Sequence, residues 1–269
     1  MQQWAETCEP WDDWDKPVEP FRIHENTFYV GTCGITALLI VGKNHHFLLD
    51  TGTEVGSNIV LENIRKLGVE PLEIFAVGYS HEHFDHVGGM AKVIDATGAA
   101  LVSHPRAQAV FETGEDDPRD PQFGMHDPMT PVPVEMLVEN GETIFVGDTT
   151  FRAISTPGHT RGALSWQWKS CGLGGESCKT IVYADSLSPV SRDDYKFSDH
   201  PEYVAEYRAG LARLAALDCD ILLTPHPSAS DMLKRAATGT FEGGLTCKQY
   251  ATRVSQRLDA RLSKEANIE

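Results

Sequence analysis

Short runs of apolar and β-branched residues alternate along this chain with longer stretches whose apolar positions recur at helical spacing. The first runs, TFYVG, TALLIVG and HFLLDTG, predict strands. From about Val55 to Leu67 the period changes, with Ile59, Val60, Ile64 and Leu67 on one helical face and Gly68 ending the helix. EIFAVGYS is again an apolar strand. A helix over about Gly89 to Ala96, the strand AALVSH and a helix from Pro105 follow. The segment 114–133, GEDDPRDPQFGMHDPMTPVP, has neither period, and loops this long inside a domain are usually functional or disordered. Beyond it come the strands TIFVG, TTFRAIST, ALSWQWKS and TIVYADS, a helix over about Glu202 to Leu217, the strand DILLTP, and C-terminal helices through Arg261. Each half thus runs from strands into alternating strands and helices, with no linker between. The pattern predicts two packed βα halves sharing one core. Residues 1–20, with three Trp among many acidic and Pro residues, read as an irregular N-terminal arm, leaving 21–269 as a single domain.

Composition narrows the function more than the fold. The chain has 269 residues and a formal net charge of −16, and its Lys and Arg form no cluster that could displace counterions from nucleic acid. Its apolar runs are too short to cross a bilayer as helices. The expected partner is therefore a small molecule, with neither nucleic acid nor membrane involved. Six cysteines (8, 33, 171, 178, 219 and 247) allow fifteen pairings. Cys171 and Cys178 flank a flexible loop and are natural partners, and Cys8 is placed to tie the arm to the body near Cys33. No Cys-x-x-Cys is present, so disulfides and an oxidising compartment are expected. The N-terminus has no basic and apolar signal-peptide pattern.

The densest chemistry lies in SHEHFDH. His81 and His83 stand two apart, so an extended segment presents both to one side, while Asp85 and His86 follow where the chain turns toward a helix. Imidazole and carboxylate are zinc ligands, but four of them cannot complete two sites. His159, in STPGHTRG, and His226, in LLTPHPSAS, follow predicted strands and are placed where α/β folds collect ligands. Five His and one Asp suffice for two ions with coordination positions left open. Of the remaining histidines, only His126 in the long loop is a candidate for the site.

SHEHFDH, TPGHTRG, YADS and TPHP occur in the order and spacing of the metallo-β-lactamase superfamily, and the resemblance covers almost the whole chain. It implies a four-layer αβ/βα sandwich with two Zn²⁺ in the cleft between the sheets. Within the superfamily the chain looks like the third subclass of class B β-lactamases. Ser186, in ADSLS, stands where the other subclasses carry a ligating Cys. Carried over, the resemblance implies that His81, His83 and His159 hold one zinc and that Asp85, His86 and His226 hold the other. It further implies the disulfides Cys8–Cys33, Cys171–Cys178 and Cys219–Cys247. Asp50 resembles a buried aspartate that orients the ligand loop. Ser186 and Ser188 look like the serines that bind the substrate carboxylate. Gln122 and Phe123 are expected to line the cleft, and Tyr195 to polarise the carbonyl oxygen.

The activity so implied is zinc-dependent β-lactam hydrolysis conferring antibiotic resistance, in a periplasmic or secreted monomer. A zinc-activated hydroxide attacks the lactam carbonyl, with Asp85 orienting it. The superfamily also contains thioesterases of the glyoxalase II type, acyl-homoserine lactonases and nucleases. Asp185 is the residue at issue, because thioesterases place a zinc-bridging Asp in a similar context. The SLS that follows it favours the lactamase and a supporting role behind the ligands. A zinc-binding protein without activity would need a closed coordination sphere, which six donors for two ions do not provide.

Overall fold

The computed structural model describes residues 1–172 and 174–267. Two sheets stack face to face. The first carries β1 (Phe21–His24), β2 (Thr27–Tyr29), β3 (Leu38–Val41), β4 (His46–Leu49), β5 (Ile74–Gly78), β6 (Ala100–Ser103) and β7 (Met136–Leu137) in that order. It is antiparallel through β4 and parallel from there on. The second contains β8 (Thr143–Val146), β9 (Thr149–Ser155), β10 (Leu164–Ser170), β11 (Lys179–Tyr183) and β12 (Ile221–Leu223). Its spatial order runs β12-β11-β10-β9-β8, and only the β11–β12 pair is parallel.

The helices are α1 (Gln2–Thr7), α2 (Gly56–Lys66), α3 (Phe84–Val87), α4 (Met90–Thr97), α5 (Gln108–Thr113), α6 (Pro201–Ala215), α7 (Met232–Ala237) and α8 (Cys247–Ala266). α2 and α4 pack together, with α4 against β5; α6 and α8 pack together, with α6 against β9. The expected αβ/βα sandwich is therefore present. Its strands are short and apolar on both faces where sheet meets sheet and helix, which explains why they read as continuous apolar runs.

Aromatic side chains fill the space between the sheets. Phe47 of β4 lies 4.5 Å from Phe151 of β9 and 5.5 Å from Trp166 of β10, centroid to centroid. Trp166 Nε1 donates to the Tyr79 carbonyl at 2.7 Å, which fixes the end of β5 just before the histidine motif. The three disulfides pair as the resemblance implied: Cys8–Cys33, Cys171–Cys178 and Cys219–Cys247.

The arm departs from expectation. It opens with a helix, α1, because Trp4 is buried against Phe21 and Tyr29 at 5.2 and 5.0 Å, and Cys8 fixes the helix end to the body. A helix of six residues is too short to leave a periodic signal. β1 and β7, short strands at the sheet edges, were likewise absent from the pattern of apolar runs.

Candidate metal centre and substrate cleft

Strand direction assembles the site. β9, β11 and β12 all point the same way, as do β4 and β5 in the facing sheet, so the segments after their C-terminal ends converge on one edge of the sandwich. These segments carry Asp50 (after β4), His81 to His86 (after β5), His159 (after β9), Ser186 and Ser188 (after β11) and His226 (after β12).

The structure brings all six candidate ligands together. One ligating atom each from His81, His83 and His159 lies within 4.8 Å of the others. Asp85 Oδ2 stands 3.0 Å from His86 Nε2 and 3.3 Å from His226 Nε2, and the two imidazole nitrogens are 3.3 Å apart. The two sets adjoin, with the His81 and His86 rings 4.2 Å apart.

The far nitrogen of every imidazole faces a partner. His81 Nδ1 is 3.0 Å from Asp185 Oδ1. His159 Nδ1 is 2.9 Å from the Ser188 carbonyl, and His226 Nδ1 is 3.4 Å from that of Gly34. His86 Nδ1 lies 3.5 Å from Asp50 Oδ2, an ion-pair approach without a hydrogen bond. His83 is reversed: its Nε2 lies 3.3 Å from Asp120 Oδ2. Such partners select the tautomer and aim the opposite nitrogen at a metal. His81 Nε2 is buried with no hydrogen-bond partner in the protein, which is costly unless something else engages it. The donor set and this orphaned nitrogen fit a divalent cation.

Electrostatics agrees with the geometry. Burial first, and neighbouring imidazoles second, push His83 and His159 down to about 3 and His81 well below its ordinary value. All three are therefore neutral and able to ligate at neutral pH. At His86 burial works the other way from the carboxylates, but Asp85 and Asp50 together outweigh it and raise the imidazole to about 10. A proton there supplies the positive charge that the carboxylates demand without a metal.

Asp50 is fully buried; it accepts from Ser80 N at 2.6 Å, Ser80 Oγ at 2.7 Å and Tyr183 Oη at 2.6 Å. It thereby anchors the residue that precedes His81. Asp185 faces the back of His81, and its other oxygen accepts from Leu187 N at 3.2 Å. The turn that follows is pinned by Tyr250 Oη on the Ser186 carbonyl at 2.8 Å and by Tyr207 Oη on that of Leu187.

Two carboxylates that support the candidate ligands were not expected from the sequence. Asp120 holds His83 and also accepts from Gln122 N at 2.6 Å. Glu82, buried inside the motif, accepts from Thr160 Oγ1 at 2.5 Å and Gly162 N at 2.8 Å, tying the His81–His83 segment to the loop of His159. Burial raises the Glu82 carboxyl to about 7. The only available signal for Glu82 was its place inside the histidine motif, and Asp120, in the acidic loop 114–133, had none that distinguished it from a solvated acid.

The donor atoms open into a cleft of about 630 Å³. Gln122, Ser186 and Ser188 line it, and Gln122 Nε2 lies 3.5 Å from His159 Nε2. His126 joins them, its ring 4.6 Å from that of His83. Trp11 and Trp14 of the arm form another wall. Phe123 does not line the cleft; it is exposed beneath the Arg192 guanidinium at 5.7 Å. Tyr195 does not reach it either. Its ring is buried and stacks on His200 at 4.5 Å, because α6 and α8 supply an apolar core that takes it.

The sequence profile of the metallo-beta-lactamase superfamily matches residues 30–226, and the chain belongs to that family. Among solved structures it is similar to the MIM-2 metallo-beta-lactamase, at 49% identity over 98% of this chain and 97% of that one, with a TM-score of 0.92. It is also similar to MEM-A1, a subclass B3 metallo-beta-lactamase from a soil metagenome, at 35% identity over 96% and 100% of the two chains and a TM-score of 0.90. A hydroxyacylglutathione hydrolase of Gloeobacter violaceus (strain ATCC 29082 / PCC 7421) is 32% identical over 113 residues, 42% of this chain and 36% of that protein.

Proposed function

We propose that the protein is a β-lactam hydrolase of the B3 type, with His81, His83 and His159 holding one zinc and Asp85, His86 and His226 a second. The observation that carries this reading is the pair of preformed donor sets opening into the cleft that Ser186 and Ser188 line. The near full-length likeness to MIM-2 and MEM-A1 supports the substrate class. Zinc, when bound, supplies Lewis acidity and brings the pKa of a bound water to about 7.

The chain's own residues do the rest. Asp85, the single carboxylate of the donor set, orients the attacking water. Ser186 Oγ is buried with no partner in the protein and is left to donate to the substrate carboxylate, with Ser188 beside it. The Gln122 amide presents a further donor across the cleft. No protein thiol takes part, since every cysteine is in a disulfide. Those disulfides support an oxidising compartment, periplasmic or extracellular, where the activity would confer resistance.

Likeness to hydroxyacylglutathione hydrolases favours thioester cleavage as a second reading. The placement of Asp185 behind His81 weighs against it. The test is colorimetric cephalosporin cleavage by zinc-loaded protein. Turnover should vanish with a chelator and return with zinc; chelator-insensitive turnover would contradict the reading.

A further inference from the structure

Helix α8 presents Arg253, Arg257 and Arg261 four residues apart, on one face. The outer two are engaged. Arg253 lies 3.4 Å from Asp231 Oδ2, and Arg261 donates to Ser191 Oγ at 2.8 Å, the Tyr195 carbonyl at 3.0 Å and Glu265 Oε1 at 2.5 Å. Arg257 has neither an ion pair nor a side-chain hydrogen bond among the described residues, although the protein carries a formal charge of −16. It lines the cleft together with Ser186, Ser188 and Ala229, and it is the only Lys or Arg among the lining residues. The helix is fixed against the serine turn, because Tyr250, seven residues earlier on the same face, donates to the Ser186 carbonyl at 2.8 Å.

A guanidinium without a partner among the described residues, sharing a cleft with a buried hydroxyl that also lacks one, makes a complementary pair for a carboxylate. The guanidinium offers charge and a fork of N–H groups, and the hydroxyl offers one directed donor. We propose that Arg257 is a specificity residue of this cleft, which recognises the carboxylate of the incoming substrate together with Ser186. The identity of that substrate as a β-lactam rests on the reading above; the recognition of a carboxylate does not. The side chain is exposed, so its contribution is that of a solvent-screened ion pair, and it acts on capture more than on the chemical step.

The experiment uses zinc-loaded wild type, Arg257→Ala and Arg257→Lys. With benzylpenicillin, Arg257→Ala should raise KM about fivefold and leave kcat within about twofold. The lysine variant should recover part of the loss, and added salt should narrow the difference. With benzylpenicillin methyl ester the variants should not differ. Equal KM values for acid and ester in wild type and Arg257→Ala would overturn the proposal. Calorimetric binding supplies an arm independent of turnover. Mercaptoacetate, a thiol with a carboxylate, should bind the alanine variant about fivefold more weakly, whereas 2-mercaptoethanol should bind both alike. If the protein opens no lactam, the functional reading fails and this arm decides alone: an equal mercaptoacetate affinity would overturn the role of Arg257.

Discussion

Replacing Asp120 with Ala removes the carboxylate behind His83 while leaving all six candidate ligands in place. In the intact protein its oxygens lie 3.3 and 3.4 Å from His83 Nε2, and one of them also accepts from Gln122 N at 2.6 Å. Loss of a partner that orients a ligating imidazole typically costs about 10–100-fold in metal affinity. The contacts to His83 are longer than the roughly 2.9 Å optimum, which places Asp120 at the lower end, about tenfold or about 1.4 kcal/mol. The loss should fall on the site of His81, His83 and His159 and spare that of Asp85, His86 and His226, whose far nitrogens face other groups. Competition with a chromophoric zinc chelator resolves the two sites as separate phases. Asp120→Asn keeps an acceptor of the same shape and should lose less than the alanine variant. Unchanged affinity in Asp120→Ala, or equal loss at both sites, would refute the reasoning.

His226→Ala should lose one equivalent of zinc by elemental analysis while the other is retained, because only one donor set is broken. Gly158→Ala should lower thermal stability by about 1–3 kcal/mol, since a Cβ there would lie 2.4 Å from the Tyr207 ring. For metal-free protein, melting temperature should fall as pH drops from about 4 toward 3, where Glu82 and Asp120, whose raised carboxyls take up protons between about pH 7 and 4 and oppose the histidines there, are protonated in both states. Unfolded imidazoles bind protons below about 6.5, whereas buried His83 and His159 resist them until about 3, so acid favours the unfolded chain. His86, raised to about 10, is protonated in both states across that window and does not offset the trend. A flat melting profile would contradict these assignments.

The candidate metal centre was legible because most of its donor residues are a local event in the chain. Four of them fall between His81 and His86, and the other two follow strands whose apolar runs mark their ends. What supports those ligands was harder to see. Asp120 sits among Asp116, Asp117 and Arg119 in a segment that reads as solvated, and only the folding of the loop buries it. Glu82 faces away from the ligands that flank it, toward a segment about eighty residues distant. Tyr195 follows a segment with no period to reveal its direction, and the apolar core beneath α6 and α8 draws it from the cleft. Arg257 looked like any exposed helix arginine; its significance lies in what its neighbours pair with and it does not.

The central claim is that this zinc centre serves β-lactam rather than thioester hydrolysis. The direct measurement is kcat/KM for benzylpenicillin and for lactoylglutathione on one zinc-loaded preparation. The account predicts efficient opening of the lactam and thioester cleavage near background. Rapid turnover of lactoylglutathione with inert benzylpenicillin would contradict it.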